Sequence, residues 1–384
     1  MDFLSEISSL EYSLAGAWVA LWLYQLYFWA RYMAAVLRRQ NALKKGKVAM
    51  PIKHPPVSVV ISAKNEGHNL QTYLQMVLSQ DYPEYEVIVV NDASEDNTRE
   101  IVEAYQHKYK NLHLTFVPRE ARINSSKKLA LTLAAKASRY DYLLLTDADC
   151  RPESTHWIEQ MMTGFVDQAE IVIGYSPYFH RKGMLNRIIR FDTLFNGLLY
   201  MGATLTGKPY MGVGRNLAYK KSTFFEHKGF AGLLDQKAGD DDLFVNKVAT
   251  RKNANAVVTA ESLVWSVPKY TFKEWVEQKM RHLSVSPRYK TSSKVFLTFE
   301  PLTRFGLYGL LIAIALLCQP IVVIAAIGLM LIRWIWQSAI LSVAARRWHS
   351  KGFCLSIPLL ELLLPLMNIL LLTHNKLFRR YQRW

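Results

Sequence analysis

The chain contains the stretch Tyr140-Asp-Tyr-Leu-Leu-Leu-Thr-Asp-Ala-Asp-Cys150, in which a run of apolar residues leads directly into two carboxylates. Tyr142 to Leu145 are apolar or aromatic without interruption, which is typical of a strand that is buried on both faces of a sheet. Residues two apart in a strand point to the same side. We therefore expect Asp147 and Asp149 to project together from the carboxyl end of a central strand, where open α/β sheets bind their ligands.

Paired carboxylates at the end of a strand suit a hard divalent cation. Mg²⁺ and Mn²⁺ take oxygen ligands, retain some water and complete their coordination with substrate phosphate. Two aspartates after a strand would equally form a solvated turn or a helix N-cap. The surrounding sequence has to distinguish a metal site from these two alternatives.

Length and composition indicate one globular domain combined with membrane segments. The 384 residues are 51% hydrophobic and carry a formal charge of +16, which favours anionic partners. Nucleotide phosphates and an anionic membrane face explain this charge as well as nucleic acid does. Because the basic residues concentrate beside the apolar segments, we expect no nucleic-acid partner. The three cysteines lack metal-ligand spacing, which argues against disulfides and a zinc site.

Apolar segments at both ends of the chain predict membrane helices. Tyr12 to Ala30 carries no charge and is long enough to cross about 30 Å of hydrocarbon. Acidic residues precede it and basic residues follow, so the positive-inside rule puts the domain that follows in the cytoplasm. Residues 305–344 predict two further spans joined at Gln319-Pro320. Residues 352–373 either cross as well, which leaves the basic tail outside against the rule, or form a re-entrant or interfacial segment broken at Pro358 and Glu361.

Between the apolar segments the sequence alternates strands and helices. Val57-Ser-Val-Val-Ile-Ser62 and Glu86-Val-Ile-Val-Val-Asn-Asp92 are β-branched runs, and each is followed by a segment with helical spacing. This alternation predicts a mostly parallel sheet with crossover helices. The fold class is therefore α/β with a Rossmann-like sheet, flanked by transmembrane helices. The predicted domains are a membrane helix with a basic linker (1–50), a cytoplasmic domain (51–290) and C-terminal membrane helices with a basic tail (291–384).

Basic residues at a predicted helix start add a candidate phosphate site. At Arg122, Lys127 and Lys128, side-chain charge and the helix N-terminus would both attract phosphate, although solvated surface lysines would have the same pattern. Because this segment directly precedes the strand with the two aspartates, basic and acidic groups are expected at one edge of the sheet.

Two later motifs add further charged groups. Gly239-Asp-Asp-Asp242 places three carboxylates at the start of a predicted helix, which is more than capping requires. Gln278 and Arg281 share one face of a helix that begins near Thr271. That face suits a diphosphate, and a solvated helix is the alternative.

Together these motifs, in this order, resemble the family 2 glycosyltransferases, whose nucleotide-sugar-binding domain is of GT-A type. The likeness is to the membrane-embedded group that includes the hyaluronan, chitin and cellulose synthases and the ceramide glucosyltransferases, and it extends from Val57 to Arg288. It implies an inverting, metal-dependent hexosyltransferase. Such an enzyme would move a sugar from a nucleotide-diphosphate sugar to a lipid-linked or glycan acceptor, as a multi-pass protein of the cell inner membrane with a cytoplasmic catalytic domain in contact with membrane lipids.

The resemblance also implies roles for individual residues. The family's nucleotide-binding positions match Ala63, Asn65, Glu66 and Asp92. Lys127 is similar to the lysine that contacts the nucleotide diphosphate, with Lys128 as the alternative. Asp147 lies nearer the nucleotide and Asp149 binds the metal, as a Mg or Mn site. Asp241 matches the general base, and Asp240 remains an alternative because the register within three consecutive aspartates is open.

Gln278 and Arg281 match the Gln-x-x-Arg-Trp motif of the processive synthases, with His282 in place of its last residue. In those enzymes the tryptophan helps to position acceptor and diphosphate, so a histidine disfavours a processive polysaccharide synthase, which stays the alternative within the family. Two rivals from other classes are less well supported. A nucleotidyltransferase would normally show a glycine-rich basic loop after its first strand, where this sequence has Ala63-Lys-Asn-Glu-Gly67. A non-catalytic membrane scaffold would be expected to have lost a carboxylate, and none of the motif carboxylates is missing.

Overall fold

The computed structural model describes residues 8–48, 54–118, 126–234, 236, 238–350 and 357–378. Its strands are β1 (Val57–Ala63), β2 (Tyr85–Asn91), β3 (Leu112–Phe116), β4 (Tyr142–Asp147), β5 (Cys150–Pro152), β6 (Ile171–Ile173), β7 (Leu217–Lys220), β8 (Ala254–Ala256) and β9 (Val264–Ser266). Its α-helices are α1 (Ser9–Phe28), α2 (Ala35–Lys44), α3 (Gly67–Leu78), α4 (Thr98–Gln106), α5 (Ser126–Ala137), α6 (Trp157–Met162), α7 (Met184–Leu205), α8 (Lys221–Glu226), α9 (Asp242–Val248), α10 (Phe272–Leu283), α11 (Thr291–Leu317), α12 (Pro320–Arg347) and α13 (Ile357–Phe378).

A large central sheet has the strand order β3-β2-β1-β4-β7-β6-β8, and a small sheet pairs β5 with β9. Strands β1 to β4 run parallel, β7 is antiparallel to both of its neighbours, and β6 and β8 are again parallel. Helices α3, α4 and α5 make the crossovers between the parallel strands. The prediction of an α/β domain with a mostly parallel sheet is confirmed.

The strand register brings three strand ends to one level. Asp147 lies opposite Ser62, and Ala63 lies opposite Asn91. Because β1, β2 and β4 are parallel, the loops that follow them emerge at the same edge of the sheet. The residues after these strands are therefore close in space although they are far apart in the sequence.

Side chains along β1 alternate between two hydrophobic layers, as a strand with helices on both faces requires. Val59 belongs to a buried cluster with Leu70 and Leu74 of α3. The next residue, Val60, belongs to a second cluster with Ala134 of α5. The sheet is thus fixed from both faces, which makes its carboxyl edge a rigid support for the loops.

Among the described residues, three helices are long and apolar enough to cross a membrane: Thr291–Leu317, Pro320–Arg347 and residues 357–374 of α13. Pro320 occupies the first turn of α12 after an extended Gln319, which explains the sharp turn between α11 and α12. Helix α1 is not one of these three helices, and its membrane crossing stays a prediction. It nevertheless packs on the other apolar helices, because the indole nitrogen of Trp18 donates to the Leu307 carbonyl at 3.0 Å.

A buried ion pair joins the last apolar helix, α13, to helix α12. Arg333 of α12 and Glu361 of α13 approach to 2.9 Å, and their side chains are 0% and 1% exposed. Gln25 of α1 accepts a hydrogen bond from the same guanidinium at 3.0 Å. Helix α13 begins at Ile357 and continues without a break through Glu361, so the predicted break does not occur at Glu361. The path of residues 352–373 relative to the membrane stays a prediction. The residues of the basic tail beyond 378 lie outside the described part, and the domain boundaries stay a prediction.

Candidate active site

The two carboxylates after β4 lie side by side at the carboxyl edge of the sheet. Ligand atoms of Asp147, Asp149 and Cys150 all lie within 4.8 Å of one another. The hydroxyl of Ser266 in β9 donates to Asp149 Oδ2 at 3.2 Å, and the Cys150 thiol donates to Asp149 Oδ1 at 3.2 Å. The small sheet therefore fixes the orientation of Asp149.

Lys127 connects this pair to the later aspartates. Its Nζ lies 2.9 Å from Asp147 Oδ1 and 3.3 Å from Asp240 Oδ2. Desolvation alone would lower the pKa of this ammonium, but Asp147, Asp240 and Asp241 raise the pKa well above its usual value. Carboxylates that are almost a hundred residues apart in the chain thus meet in one cleft around a single cation.

The three consecutive aspartates face three different partners. Asp240 faces Lys127, as described above. Asp241 is the N-cap of α9, and its Oδ2 accepts a hydrogen bond from the backbone nitrogen of Gly214 at 2.8 Å. Asp242 is buried and accepts a hydrogen bond from the Tyr289 hydroxyl at 2.7 Å, just before α11. Asp240 and Asp241 are therefore the carboxylates that share the cleft with Lys127.

Burial separates the acid strengths of these carboxyl groups. Desolvation, followed by repulsion from Asp240, raises the pKa of Asp241 to about 6. Desolvation and the neighbouring Asp241 raise the pKa of Asp242 to about 8. At neutral pH Asp241 is mostly ionised with a pKa close to the medium, which is what a general base requires.

The pKa values of Asp147 and Asp149 are also shifted, in opposite directions. Desolvation favours the neutral acid in both, but the ammonium of Lys127 outweighs it and lowers the pKa of Asp147. Desolvation and the adjacent Asp147 charge raise the pKa of Asp149. Two close carboxylates with unequal pKa values repel each other, and a divalent cation between them would remove that repulsion.

The donor set fits a hard cation. Asp147 and Asp149 offer carboxylate oxygens, which Mg²⁺ and Mn²⁺ prefer. Cys150 offers a sulfur atom to the same cluster, but sulfur suits softer metals than these two. We assign the metal-binding capacity of this cluster to its two carboxylates.

The loops after β1 and β2 are tied to each other. The backbone nitrogen of Asp92 donates to the Ala63 carbonyl at 2.8 Å. Asn65 has a positive φ of 55°, and its side-chain oxygen accepts a hydrogen bond from the backbone nitrogen of Glu95 at 2.8 Å. Desolvation raises the pKa of Glu66, and the charges of Asp149 and Asp147 add to that shift. The predicted nucleotide-binding residues therefore form one wall beside the aspartate pair.

Helix α10 carries the remaining predicted residues. Thr271 and Glu274 form a capping box that fixes where the helix starts. Two turns later the side-chain amide of Gln278 donates to the Tyr178 hydroxyl at 3.2 Å. Arg281 is exposed, yet its charge contributes to the lowered pKa of Asp147 after desolvation and Lys127. The face of α10 with Gln278 and Arg281 thus borders the cleft.

His282 follows Arg281 on α10 and is exposed. Desolvation, followed by the charges of Arg281 and Arg215, lowers the pKa of His282 to about 3. The imidazole is therefore neutral at physiological pH and offers a hydrogen-bond donor and acceptor instead of another positive charge.

Lys128, the alternative to Lys127 in the sequence, does not lie in the cleft. Lys128 is fully buried, and its Nζ donates to the carbonyls of Gln236 and Ala238 at 2.6 Å each. It therefore holds the segment that precedes Asp240 and does not face the cleft as Lys127 does. Arg122 lies outside the described residues.

The sequence interpretation missed one cation of the cleft, Arg215. Its guanidinium carbon lies 4.3 Å from the centre of the Tyr178 ring, and its Nη2 donates to the Ser176 carbonyl at 3.4 Å. Its charge adds to the effect of Lys127 in lowering the pKa of Asp147, and it opposes the desolvation that raises the pKa of Asp149. Glycines at 212 and 214 next to this arginine were the available signal, but glycine pairs are common in turns.

The comparisons with known proteins agree with this geometry. The family model "Glycosyl transferase family 2" matches residues 58–236. The chain is 41% identical over 93 residues to a poly-beta-1,6-N-acetyl-D-glucosamine synthase of Staphylococcus epidermidis, covering 24% of this chain and 21% of that protein. It is 33% identical over 144 residues to the glycosyltransferase AglE of Haloferax volcanii, covering 37% and 46%. The chain thus spans less than half of the length of these two relatives.

A solved structure shows the same fold over most of the chain. The mannosyltransferase PcManGT from Pyrobaculum calidifontis, in complex with GDP-Man and Mn²⁺, superimposes with a TM-score of 0.54 at 20% identity. The alignment covers 87% of this chain and 98% of that protein. The sheet and the matching family model together show that residues 58–236 contain a family 2 glycosyltransferase domain with a GT-A-like fold.

Proposed function

We propose that this chain is an inverting, metal-dependent glycosyltransferase. It moves a sugar from a nucleotide-diphosphate sugar to a lipid-linked or glycan acceptor at the cytoplasmic face of the membrane. The observation that supports this most is the position of Lys127 between Asp147 and Asp240, because it brings a candidate metal pair and a candidate base into one cleft.

The donor would lie over the carboxyl edge of β1, β2 and β4. Asp92 and the segment from Ala63 to Glu66 border the nucleotide, and Asp149 with Asp147 would hold the Mg or Mn ion. When bound, that ion would neutralise part of the charge on the diphosphate. Lys127 and Arg281 add positive charge where the leaving diphosphate develops its negative charge, and such preorganised charge is usually the largest contribution to catalysis.

Asp241 is the proposed general base. The backbone nitrogens of Gly214 and Asp242 donate to its two carboxylate oxygens at 2.8 Å and 2.7 Å. Each oxygen keeps a second lone pair that can accept a proton from the acceptor hydroxyl. Base catalysis of this kind contributes about 10²- to 10⁴-fold. The deprotonated oxygen attacks the anomeric carbon from the face opposite the diphosphate. One base and no enzyme nucleophile are needed, so the configuration at that carbon inverts.

The neighbourhood of the membrane helices supports a lipid-linked acceptor. Trp275 of α10, one turn before Gln278, lies in the same buried cluster as Leu360 of α13. The helix that borders the cleft is therefore packed against a candidate membrane span. A hydroxyl or phosphate of a lipid at the membrane surface would be near the proposed site, in a multi-pass protein of the cell inner membrane.

The experiment compares purified wild type with Asp241→Asn in detergent. A panel of nucleotide sugars is offered with and without Mn²⁺ or Mg²⁺, and released nucleoside diphosphate is measured. We expect Asp241→Asn to abolish transfer and to retain nucleotide binding. Asp81→Asn, an exposed carboxylate away from the cleft, is the matched control and should keep full activity. Undiminished turnover of Asp241→Asn would exclude this base, and release of pyrophosphate would indicate a nucleotidyltransferase.

A processive polysaccharide synthase is the second candidate. The similarity to a poly-beta-1,6-N-acetyl-D-glucosamine synthase favours it, whereas His282 at the end of the Gln-x-x-Arg motif disfavours it. Product size separates the two, because repeated transfer to one acceptor gives a polymer and single transfer gives an acceptor that is longer by one sugar.

A further inference from the structure

We propose that Arg215 binds the sugar-bearing phosphate of the donor and retains it on the leaving nucleoside diphosphate. This inference rests on the proposed function and adds a residue to it. Neither the sequence motifs nor the family resemblance assigned a role to this residue. Its role would be to clamp the second phosphate together with Lys127.

The backbone places Arg215 between the two acidic groups of the cleft. It lies in a short 3₁₀ turn, Gly214–Asn216, that immediately precedes β7 next to β4. The nitrogen of Gly214 is the one that orients Asp241. A side chain that starts here begins beside the proposed base and lies near the aspartates after β4, and the reacting bond of the donor has to lie between these two groups.

The guanidinium is held in place by neutral neighbours. Tyr178 lies below it at 4.3 Å, and Gln278 donates a hydrogen bond to the hydroxyl of that tyrosine at 3.2 Å. Cation–π packing on a ring that is itself held fixes the plane of the fork. A fixed planar fork is the geometry that binds two phosphate oxygens at once.

Arg215 also retains unused binding capacity. Among the described residues no carboxylate comes within ion-pair distance of it, and its buried Nη1 has no hydrogen-bond partner. Within the part of the chain that the structure describes, it donates one hydrogen bond, the 3.4 Å contact with the Ser176 carbonyl. A buried donor without an acceptor is costly for a protein, so an anion that supplies this acceptor would bind favourably.

Two neighbouring carboxylates would by themselves repel a diphosphate. Lys127 already compensates Asp147 and Asp240 through direct contacts, whereas Arg215 is near the aspartate pair without contacting it. Arg215 therefore has charge to offer to the second phosphate of a donor. Its replacement should weaken the binding of a diphosphate and hardly change the binding of a monophosphate.

The test measures the affinity of UDP, UMP, GDP and GMP for the full chain in detergent with Mn²⁺, by titration calorimetry. Arg215→Gln loses the charge-assisted hydrogen bonds to one phosphate. The affinity for the diphosphate that wild type binds, UDP or GDP, should therefore fall by about 10- to 100-fold. The matching monophosphate should change by less than about threefold. Arg215→Lys keeps the charge but loses the planar fork, so it should recover only part of the loss. Arg139→Gln, an exposed arginine 3.8 Å from Glu86, should bind both nucleotides as wild type does.

The outcomes separate this inference from the proposed function. An equal loss of diphosphate and monophosphate affinity would assign Arg215 a merely structural role, and unchanged affinities would exclude any contact. If Arg215→Gln does not fold, Arg215→Lys decides, because an unchanged diphosphate-to-monophosphate ratio in that variant overturns the inference. If wild type binds neither UDP nor GDP, the proposed function and this inference both fail.

Discussion

The pH dependence of transfer follows from the surroundings of Asp241. Its pKa is raised to about 6, chiefly by desolvation and then by Asp240. A general base works only when it is ionised. The activity should therefore reach its plateau well above this pKa and fall as the pH decreases through it. At pH 5, one unit below, only about one carboxylate in eleven is ionised, and we expect kcat/KM to be about tenfold below its plateau.

Initial rates of nucleoside diphosphate release between pH 5 and 8, at low donor concentration, measure this profile. The series is repeated at tenfold higher Mn²⁺, because a midpoint that moves with the metal concentration would belong to the metal-site carboxylates. In Lys127→Met the profile should shift upward, since the ammonium of Lys127 favours the ionised form of Asp241. A rate that stays constant down to pH 5, or a midpoint that is unchanged in Lys127→Met, would contradict the assignment of the base.

Three further outcomes are expected. Glu361→Ala leaves the guanidinium of Arg333 buried without its carboxylate partner, so it should lower the free energy of unfolding by about 3–5 kcal/mol. Replacing both residues by Leu should restore most of that loss. Thermal unfolding in detergent measures both variants, and an unchanged stability of Glu361→Ala would contradict the buried pair. Lys128→Met releases the carbonyls before Asp240, so kcat should fall while nucleotide affinity is kept; a change in affinity alone would contradict this. Asp242, with its pKa raised to about 8, binds a proton more tightly in the folded state, so wild type should lose stability between about pH 4 and pH 8 relative to Asp242→Asn, and parallel melting curves would speak against it.

Local patterns in the sequence predict much of this fold. The β-branched runs and the helical spacing behind them give β1, β2 and the crossover helices, because both signals depend on near neighbours. Asp147 and Asp149 are recognisable for the same reason, since strand alternation alone puts them on one side. The convergence of strand ends then follows from the parallel arrangement.

Other features depend on partners far away in the sequence. Lys127 and Lys128 are adjacent and chemically alike, and only the segment around Ala238 decides that one is buried while the other faces the cleft. Asp242 is distinguished from its neighbours by Tyr289, which is 47 positions away. No spacing rule contains such contacts, so the sequence left these roles open.

The same reason explains the uncertain last helix. Pro358 and Glu361 suggest a break when the segment is considered alone, because a carboxylate is expensive within an apolar helix. Arg333 on the neighbouring helix removes that cost by pairing with it at 2.9 Å. Arg215 likewise stands out only when β7, β4 and Tyr178 are brought together.

The most direct measurement is a structure of the full chain in lipid nanodiscs with Mn²⁺ and an unreactive nucleotide-sugar analogue. We expect the metal to be coordinated by Asp149 between this carboxylate and the diphosphate, and the anomeric carbon to face Asp241 across a space that admits a hydroxyl group. A nucleotide bound elsewhere, or an anomeric carbon with no path to Asp240 or Asp241, would show that these two acidic groups do not serve one reaction.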